Sequence, residues 1–270
     1  MHMRSQLLSI LAIATLGFAY SPAVKANPRP LPFTYIYETL SEGDAELEQY
    51  VDMSPVRAYS ASGERVWYSA SQFQTEFEYG ITHRLELGLY VTFVPTNSNY
   101  TLTPSLMQGN GLKQRLRYRF ADVGEWPVDV ALYGEVSENE REVELEGKII
   151  VQRHFGRLRA VANAWAEHEF YYNGSREWVL SPTAGAVVEI TPAVQTGLEY
   201  WMRAEFPTNG AHRVFNQGPH SFLGPTLLLQ LGKLWWTTGV YVRLNDYGRT
   251  VAVGDSFGSL WLRTVIGIGL

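Results

Sequence analysis

The chain is predicted to be all-β: a transmembrane, antiparallel, up-and-down β-barrel of about twelve strands with short periplasmic turns and longer external loops. Three observations lead there. The N-terminus is basic and then apolar, no later run is apolar enough to form a membrane helix, and alternating apolar and polar segments recur from residue 45 to the end. The plainest alternation is at 111–120, G-L-K-Q-R-L-R-Y-R-F. Here Lys113, Arg115, Arg117 and Arg119 interleave with Leu112, Gln114, Leu116, Tyr118 and Phe120. A period of two is that of a β-strand whose faces meet different surroundings. A water-soluble sandwich would bury the apolar face and leave four cations in water. A membrane barrel turns the apolar face to lipid and the charges to its lumen.

Residues 1–26 carry Arg4, the apolar run 7–19, and then Ser21-Pro22-Ala23-Val24-Lys25-Ala26. Basic start, apolar middle and small residues form a secretory signal, with cleavage expected after Ala26. The run is too short for a stable bilayer anchor. The chain has no Cys, which leaves neither a disulfide framework nor a lipid-bearing cysteine. Loss of the signal removes Arg4 and Lys25, so 22 basic residues become 20 against 27 acidic ones, a net charge of −7. That balance argues against a nucleic-acid partner. Residues 27–44, with Pro28, Pro30 and Pro32, are read as an N-terminal periplasmic or plugging segment, in which 33–38 offers at most part of an extra strand. Residues 45–270 form the barrel, and no composition shift marks a further domain.

Strands are expected at 45–53, 65–79, 84–95, 111–121, 127–137, 141–154, 158–171, 177–190, 193–205, 220–231, 234–245 and 259–270. Most are long enough for a tilted strand to cross a bilayer. In the second, Phe73, Thr75, Phe77 and Tyr79 alternate with Gln74, Glu76 and Glu78. In the third, Leu85, Leu87, Leu89 and Val91 alternate with Glu86, Gly88 and Tyr90. In the sixth, Val143, Leu145, Ile149 and Val151 oppose Glu142, Glu144, Glu146 and Lys148. The last sets Leu260, Leu262, Thr264, Ile266, Ile268 and Leu270 against Trp261, Arg263, Val265, Gly267 and Gly269. The connections at 80–83, 122–126, 155–157, 191–192 and 232–233 are short. Those at 54–64, 96–110, 207–219 and 246–258 are long, while those near 138–140 and 172–176 are short again. Sorting of loop length by strand parity belongs to membrane barrels, and an even strand count puts both termini in the periplasm. Tyr79, Trp126, Phe155, Phe170, Tyr171, Tyr172, Trp178, Phe206, Trp235 and Trp236 fall near strand ends, where an aromatic girdle meets the headgroups.

Three stretches carry a resemblance. They are Phe33-Thr34-Tyr35-Ile36-Tyr37-Glu38-Thr39-Leu40 with Glu46-Leu47-Glu48-Gln49-Tyr50, then Thr75-Glu76-Phe77-Glu78-Tyr79-Gly80-Ile81-Thr82 before Arg84-Leu85-Glu86-Leu87, and Phe222-Leu223-Gly224-Pro225-Thr226 with Trp235-Trp236. Together the chain resembles a family of uncharacterised, transporter-like outer-membrane β-barrel proteins of Gram-negative bacteria. The resemblance implies the fold and the outer membrane, with its lipid and its barrel-assembly machinery as partners, and brings no substrate, cofactor or catalytic residue. The chain departs from the pattern in ending on Leu270 where such barrels usually end on an aromatic residue.

The alternation lists what the lumen holds. Lys113, Arg115, Arg117 and Arg119 lie between strands bearing Glu86 on one side and Asp129 and Glu135 on the other. Glu76 and Glu78 also point inward, and closure sets Arg263 beside the first strand with Glu46 and Glu48. Opposite charges on neighbouring strands pair favourably. Two readings stay open: a hydrogen-bonded network that fills a narrow lumen, or a water-filled pore whose basic and acidic walls orient a small polar or charged solute. The expected function is a passive channel or transporter, with Arg115, Arg117 and Arg119 as solute contacts. The alternative is a closed barrel with a structural or partner-binding role. An enzyme is not expected: His168, His212, His220 and Ser221 form no triad pattern, and Gly109-Asn110-Gly111 is a turn with no helix after it. No metal site is expected either, since His212 and His220 lack ligand spacing.

Overall fold

The protein is described by a computed structural model covering residues 26–59, 62–94, 111–208, 219–245, 251–252 and 258–270. Residues 1–25, within the expected signal segment 1–26, together with His212, Gly109, Asn110 and most of the three longest expected loops, lie outside the described residues.

Fourteen strands make one closed sheet: β1 (Ala45–Tyr59), β2 (Arg65–Thr82), β3 (Leu85–Phe93), β4 (Gly111–Arg119), β5 (Asp129–Asn139), β6 (Glu142–Phe155), β7 (Leu158–Tyr171), β8 (Arg176–Leu180), β9 (Thr183–Thr191), β10 (Val194–Thr208), β11 (His220–Leu231), β12 (Leu234–Arg243), β13 (Val251–Ala252) and β14 (Leu260–Gly269). Apart from β8 with β9 and the short β13, consecutive strands pair antiparallel, β12 pairs with β14, and β14 closes on β1 through eight residue pairs from Glu46↔Gly269 to Met53↔Leu262. The twelve-strand count follows from two details. First, β8 and β9 are one strand of the wall, because the pairing with β7 and with β10 runs on in the same register from Leu180 to Thr183. The break falls at Ser181-Pro182 because proline has no N–H to donate to the ladder; the Pro182 carbonyl still accepts from Met202 N at 3.1 Å. Second, β13 is a two-residue parallel bridge to the far end of β1 and does not extend the circle.

The expected strand positions stand, with one correction. Residues 54–64 were expected as a long loop, but β1 continues to Tyr59 and β2 begins at Arg65. Pro55 interrupts the apolar alternation there, which hid the strand's second half. The faces follow the alternation: Leu112, Leu116, Leu132, Leu145, Ile149 and Val91 are exposed on the outside, while Glu46, Glu76, Arg115, Glu144 and Glu199 are buried inside. An exposed belt of this kind is the lipid-facing surface of a transmembrane barrel. Two of the ten expected girdle aromatics point the other way. Trp235 is 1 % exposed with its indole donating to Glu46, and Tyr171 bonds Glu169. Parity decides both, since Trp236 and Tyr172 take the outward places beside them.

Candidate functional site

The lumen of this barrel is occupied by the chain's own start. Residues 26–40 form neither helix nor strand and are almost wholly buried. Pro28, Pro30 and Pro32 remove backbone donors and restrict their neighbours, so the segment cannot join a ladder. Its N–H groups go to side chains of the wall. Asn27 donates to Glu46 at 2.8 Å, Phe33 and Thr34 to Glu199 at 3.0 and 2.5 Å, Tyr35 to Asn163 at 2.7 Å, Tyr37 to Gln152 at 3.1 Å, and Leu40 to Glu86 at 2.7 Å. Asn27 also donates to the Glu38 carbonyl at 3.0 Å, tying the two ends of the segment at the barrel end that carries the short turns. Between them the chain rises to Phe33, which stacks on Trp201 at 4.5 Å between ring centroids. Leu31, Ile36 and Tyr37 pack with inward Ala131, Ile150, Val161 and Val187.

The basic ladder splits along its length. Arg115 is fully buried and bonds Glu76 at 2.7 Å, Glu86 at 2.6 Å, Tyr90 at 2.8 Å, and Glu78. Glu76 and Glu78 stand on β2, two strands away. Arg115 reaches them because Gly88 of β3 leaves the space between: a Cβ on Gly88 would lie 2.6 Å from both the Arg115 Nε and a Glu76 carboxylate oxygen. Arg117, also buried, forks onto Glu86 at 2.7 and 2.9 Å. Arg119 lies at the turn end, bonded to the His83 carbonyl at 2.9 Å and to the exposed Asp122 at 3.2 Å. Lys113, nearest the loops, bonds Glu135 at 2.9 Å. A cation from the N-terminal segment joins the same network, since Arg29 bonds Glu48 at 2.7 Å.

Of the singled-out residues, the structure thus brings together Arg115, Arg117, Glu76, Glu78 and Glu86 in one buried layer. Lys113 and Glu135 form a second group, in which Glu135 also accepts from Tyr133 at 2.5 Å. Asp129 does not meet the ladder; it accepts from Gly124 N at 2.9 Å at the turn end. Arg263 bonds Asp52 at 2.6 and 2.8 Å and lies 3.8 Å over the Phe33 ring. The residues not anticipated are Arg29, Asn163 and Gln152, together with the role of the inward Glu199 as acceptor for the segment. A signal for them existed: Ile150 in Ile149-Ile150-Val151 is an apolar side chain at a lumen position, which calls for something apolar to cover it. His168 points outward between Phe170 and Trp178, at 4.3 and 4.2 Å between centroids. His220 is buried inside against Arg243 at 2.6 Å, and Ser221, on the opposite face, meets the Tyr200 hydroxyl at 3.2 Å.

Residues 26–253 match the model of a family of unknown function, DUF6662, and the chain belongs to that family. No curated protein matches the sequence. Among solved structures, the barrel is similar to the COG4313 outer membrane channel from Pseudomonas putida F1, with a TM-score of 0.57 and 12 % identity over 87 % of this chain and 98 % of that one. It is similar to the NanC porin to the same TM-score of 0.57, with 9 % identity over 83 % of this chain and 100 % of that one. At such identities the likeness is one of fold, that of a closed outer-membrane-type barrel.

Proposed function

We propose that this chain is an outer-membrane channel for small polar or charged solutes that is held closed by its own N-terminal segment, with both termini in the periplasm. One observation carries the reading: residues 26–40 fill the lumen, yet every backbone donor named above is received by a side chain and none by a strand ladder. A segment held this way can leave without breaking the barrel. The two solved channels of like fold support a pore-forming ancestry. Arg115 and Arg117 then hold the floor of the closed state and do not touch solute, while the groups that meet solute lie on the loop side of Phe33.

A preference of a few kcal/mol for the seated segment corresponds to an open state populated at roughly 0.1–10 %. Planar bilayers with the purified protein should therefore show brief openings, and a chain lacking residues 27–40 should show long ones of equal or larger size. Absence of conductance from both chains would sink the channel reading. It would also favour the second reading, a closed barrel acting through its external face, which the complete pairing of Arg115 supports.

A further inference from the structure

Glu46 stands where the buried segment begins, and it is short of a counter-charge. It is 0 % exposed and accepts from Asn27 N at 2.8 Å and from the Trp235 indole. No Lys, Arg or His among the described residues pairs with it, and Arg29, two residues along the segment, is turned to Glu48 at 2.7 Å. Other buried acids of the lumen have a base: Glu86 has Arg117, Glu135 has Lys113, Glu167 has Arg203 and Asp52 has Arg263. Glu199 is held instead by three donors, Phe33 N, Thr34 N and the Tyr241 hydroxyl. Glu46 has two, and it stands directly opposite Glu78 in the β1–β2 ladder. Like charges in that position repel, and a buried carboxylate is costly unless it is paired.

The atom aimed at Glu46 is a backbone nitrogen, and it belongs to the residue that follows the expected leader. Val24 and Ala26 are the small residues ahead of the cut. Hydrolysis of the Ala26–Asn27 bond consumes one water. The Ala26 carbonyl carbon takes its oxygen and becomes a carboxylate, and both its protons go to Asn27 N, which becomes an ammonium. An α-amino group titrates at about 7.7–8.0, so it is mostly charged at neutral pH. At 2.8 Å from the Glu46 Oε2 it is at the distance of a charge-assisted bond.

We propose that the chain is cut between Ala26 and Asn27 before the barrel closes, and that the ammonium released on Asn27 is the counter-charge of Glu46. The lumen mouth is thus a binding site for the chain's own processed N-terminus, whether or not the barrel conducts. The order of events follows from burial. Ala26 is 9 % exposed and packs in one cluster with Tyr50, Leu228, Trp235 and Val265, and the Asn27 side chain is tied to the Glu38 carbonyl at 3.0 Å. A protease must draw the chain on both sides of the bond into its cleft, so the seated segment is closed to it. A chain that escapes the cut brings Glu46 only a neutral amide.

Mass spectrometry of the intact protein from outer membranes should give a chain that starts at Asn27 with a free amine. A start at any other residue, or a blocked amine, would overturn the proposal. The pairing is tested on a chain beginning at Asn27, released from a fusion tag and refolded in detergent, beside the same chain acetylated on its α-nitrogen. Acetylation keeps an N–H donor and removes the charge. Chymotrypsin, which cuts after Phe33, Tyr35 and Tyr37, should clip the acetylated form about five-fold faster or more, since charge-assisted bonds are roughly twice as strong as neutral ones. In Glu46→Gln the two forms should be clipped alike. Equal rates in the wild type, or an undiminished difference in Glu46→Gln, would each refute the pair. Should the acetylated chain fail to refold, the free chain decides alone. The pH midpoint of reductive methylation of its α-amine must lie above the ordinary range of about 7.7–8.0, because a carboxylate partner raises it; a midpoint within or below that range marks an amine without its pair. A conducting chain that starts elsewhere removes this proposal alone, and absence of conductance removes the channel reading alone.

Discussion

The three arginines of the β4 ladder are expected to differ in what their loss does, and the order follows from their partners. Arg115→Met leaves Glu86 with Arg117 and the Leu40 N–H, and leaves Glu76 with the Tyr50 hydroxyl at 2.7 Å. Glu78 loses the one cation it touches among the described residues while remaining 1 % exposed. An uncompensated buried charge costs about 3–5 kcal/mol. Arg117→Met is milder, because Glu86 keeps Arg115 at 2.6 Å and Leu40 N at 2.7 Å; the loss is one charge-assisted contact, about 1.5–3 kcal/mol. Arg119→Met breaks an ion pair with an exposed aspartate, worth about 0.2–1 kcal/mol. Equilibrium urea unfolding of the refolded protein in detergent reads all three as midpoint shifts at constant slope. Adding Glu78→Gln to Arg115→Met should return part of the loss, and the double-mutant cycle measures the coupling. A flat series, or Arg115→Met within about 1 kcal/mol of the wild type, would mean that the ladder is solvated, and the buried layer would be refuted.

Three further outcomes test other parts of the molecule. Glu199→Ala removes the acceptor of Phe33 N, Thr34 N and the Tyr241 hydroxyl, so the open fraction in bilayers should rise about ten-fold or more; an unchanged fraction would place the anchor of the segment elsewhere. Gly267→Ala would set a Cβ 2.2–2.4 Å from the Trp235 ring, which is buried and bonded to Glu46, for a loss of about 1–3 kcal/mol in urea unfolding; no loss would show that the indole swings aside. Leu116→Arg puts a charge on the outward face, where Leu116 is 50 % exposed. At bilayer mid-depth it should cost about 2–4 kcal/mol when refolding is followed in lipid vesicles, whereas an effect within about 0.5 kcal/mol would fit a surface in water.

The wall was legible because a barrel strand writes its surroundings into every second residue. Leu112 and Leu116 against Arg115 and Arg117 suffice to orient β4, and the same alternation orients its neighbours without any knowledge of contacts. What filled the lumen was not legible in the same way, for two reasons. Alternation names the face of a side chain but not its partner. Arg115 was expected to meet Glu86, Asp129 and Glu135 on adjacent strands; it does bond Glu86, but also crosses β3 to Glu76 and Glu78 through the space left by Gly88, and a glycine leaves no periodic mark. The second reason is that residues 26–40 have no period at all. Their prolines forbid regular structure, which allows a periplasmic or a plugging segment without choosing between them; the trace that chooses was on the wall, in Ala131, Ile150, Val161 and Val187, apolar residues at places where the lumen otherwise carries charge. Trp235 belongs to the same class, an aromatic near a strand end whose parity sends it inward.

Those traces bear on why the lumen is so rich in carboxylates and amides. An irregular segment inside a barrel brings backbone donors that must be met, because an unmet buried N–H costs about 1–3 kcal/mol. Glu46, Glu86, Glu199, Asn163 and Gln152 each stand opposite such a donor. Part of the inward acidic set therefore answers to the segment's backbone and not to a solute, and it is concentrated toward the turn end where the segment enters. Above Phe33 that explanation lapses: Glu144, Glu146 and Glu167 border open space and receive none of the N–H groups that residues 26–40 donate to the wall. Withdrawal of the segment would hydrate the lower set, which is tolerable only if water floods the lumen, and would leave the upper set unchanged. If the barrel is the channel proposed above, opening falls on the residues that seat the segment, so Glu199→Ala should change how often the pore opens without altering which ion carries the current.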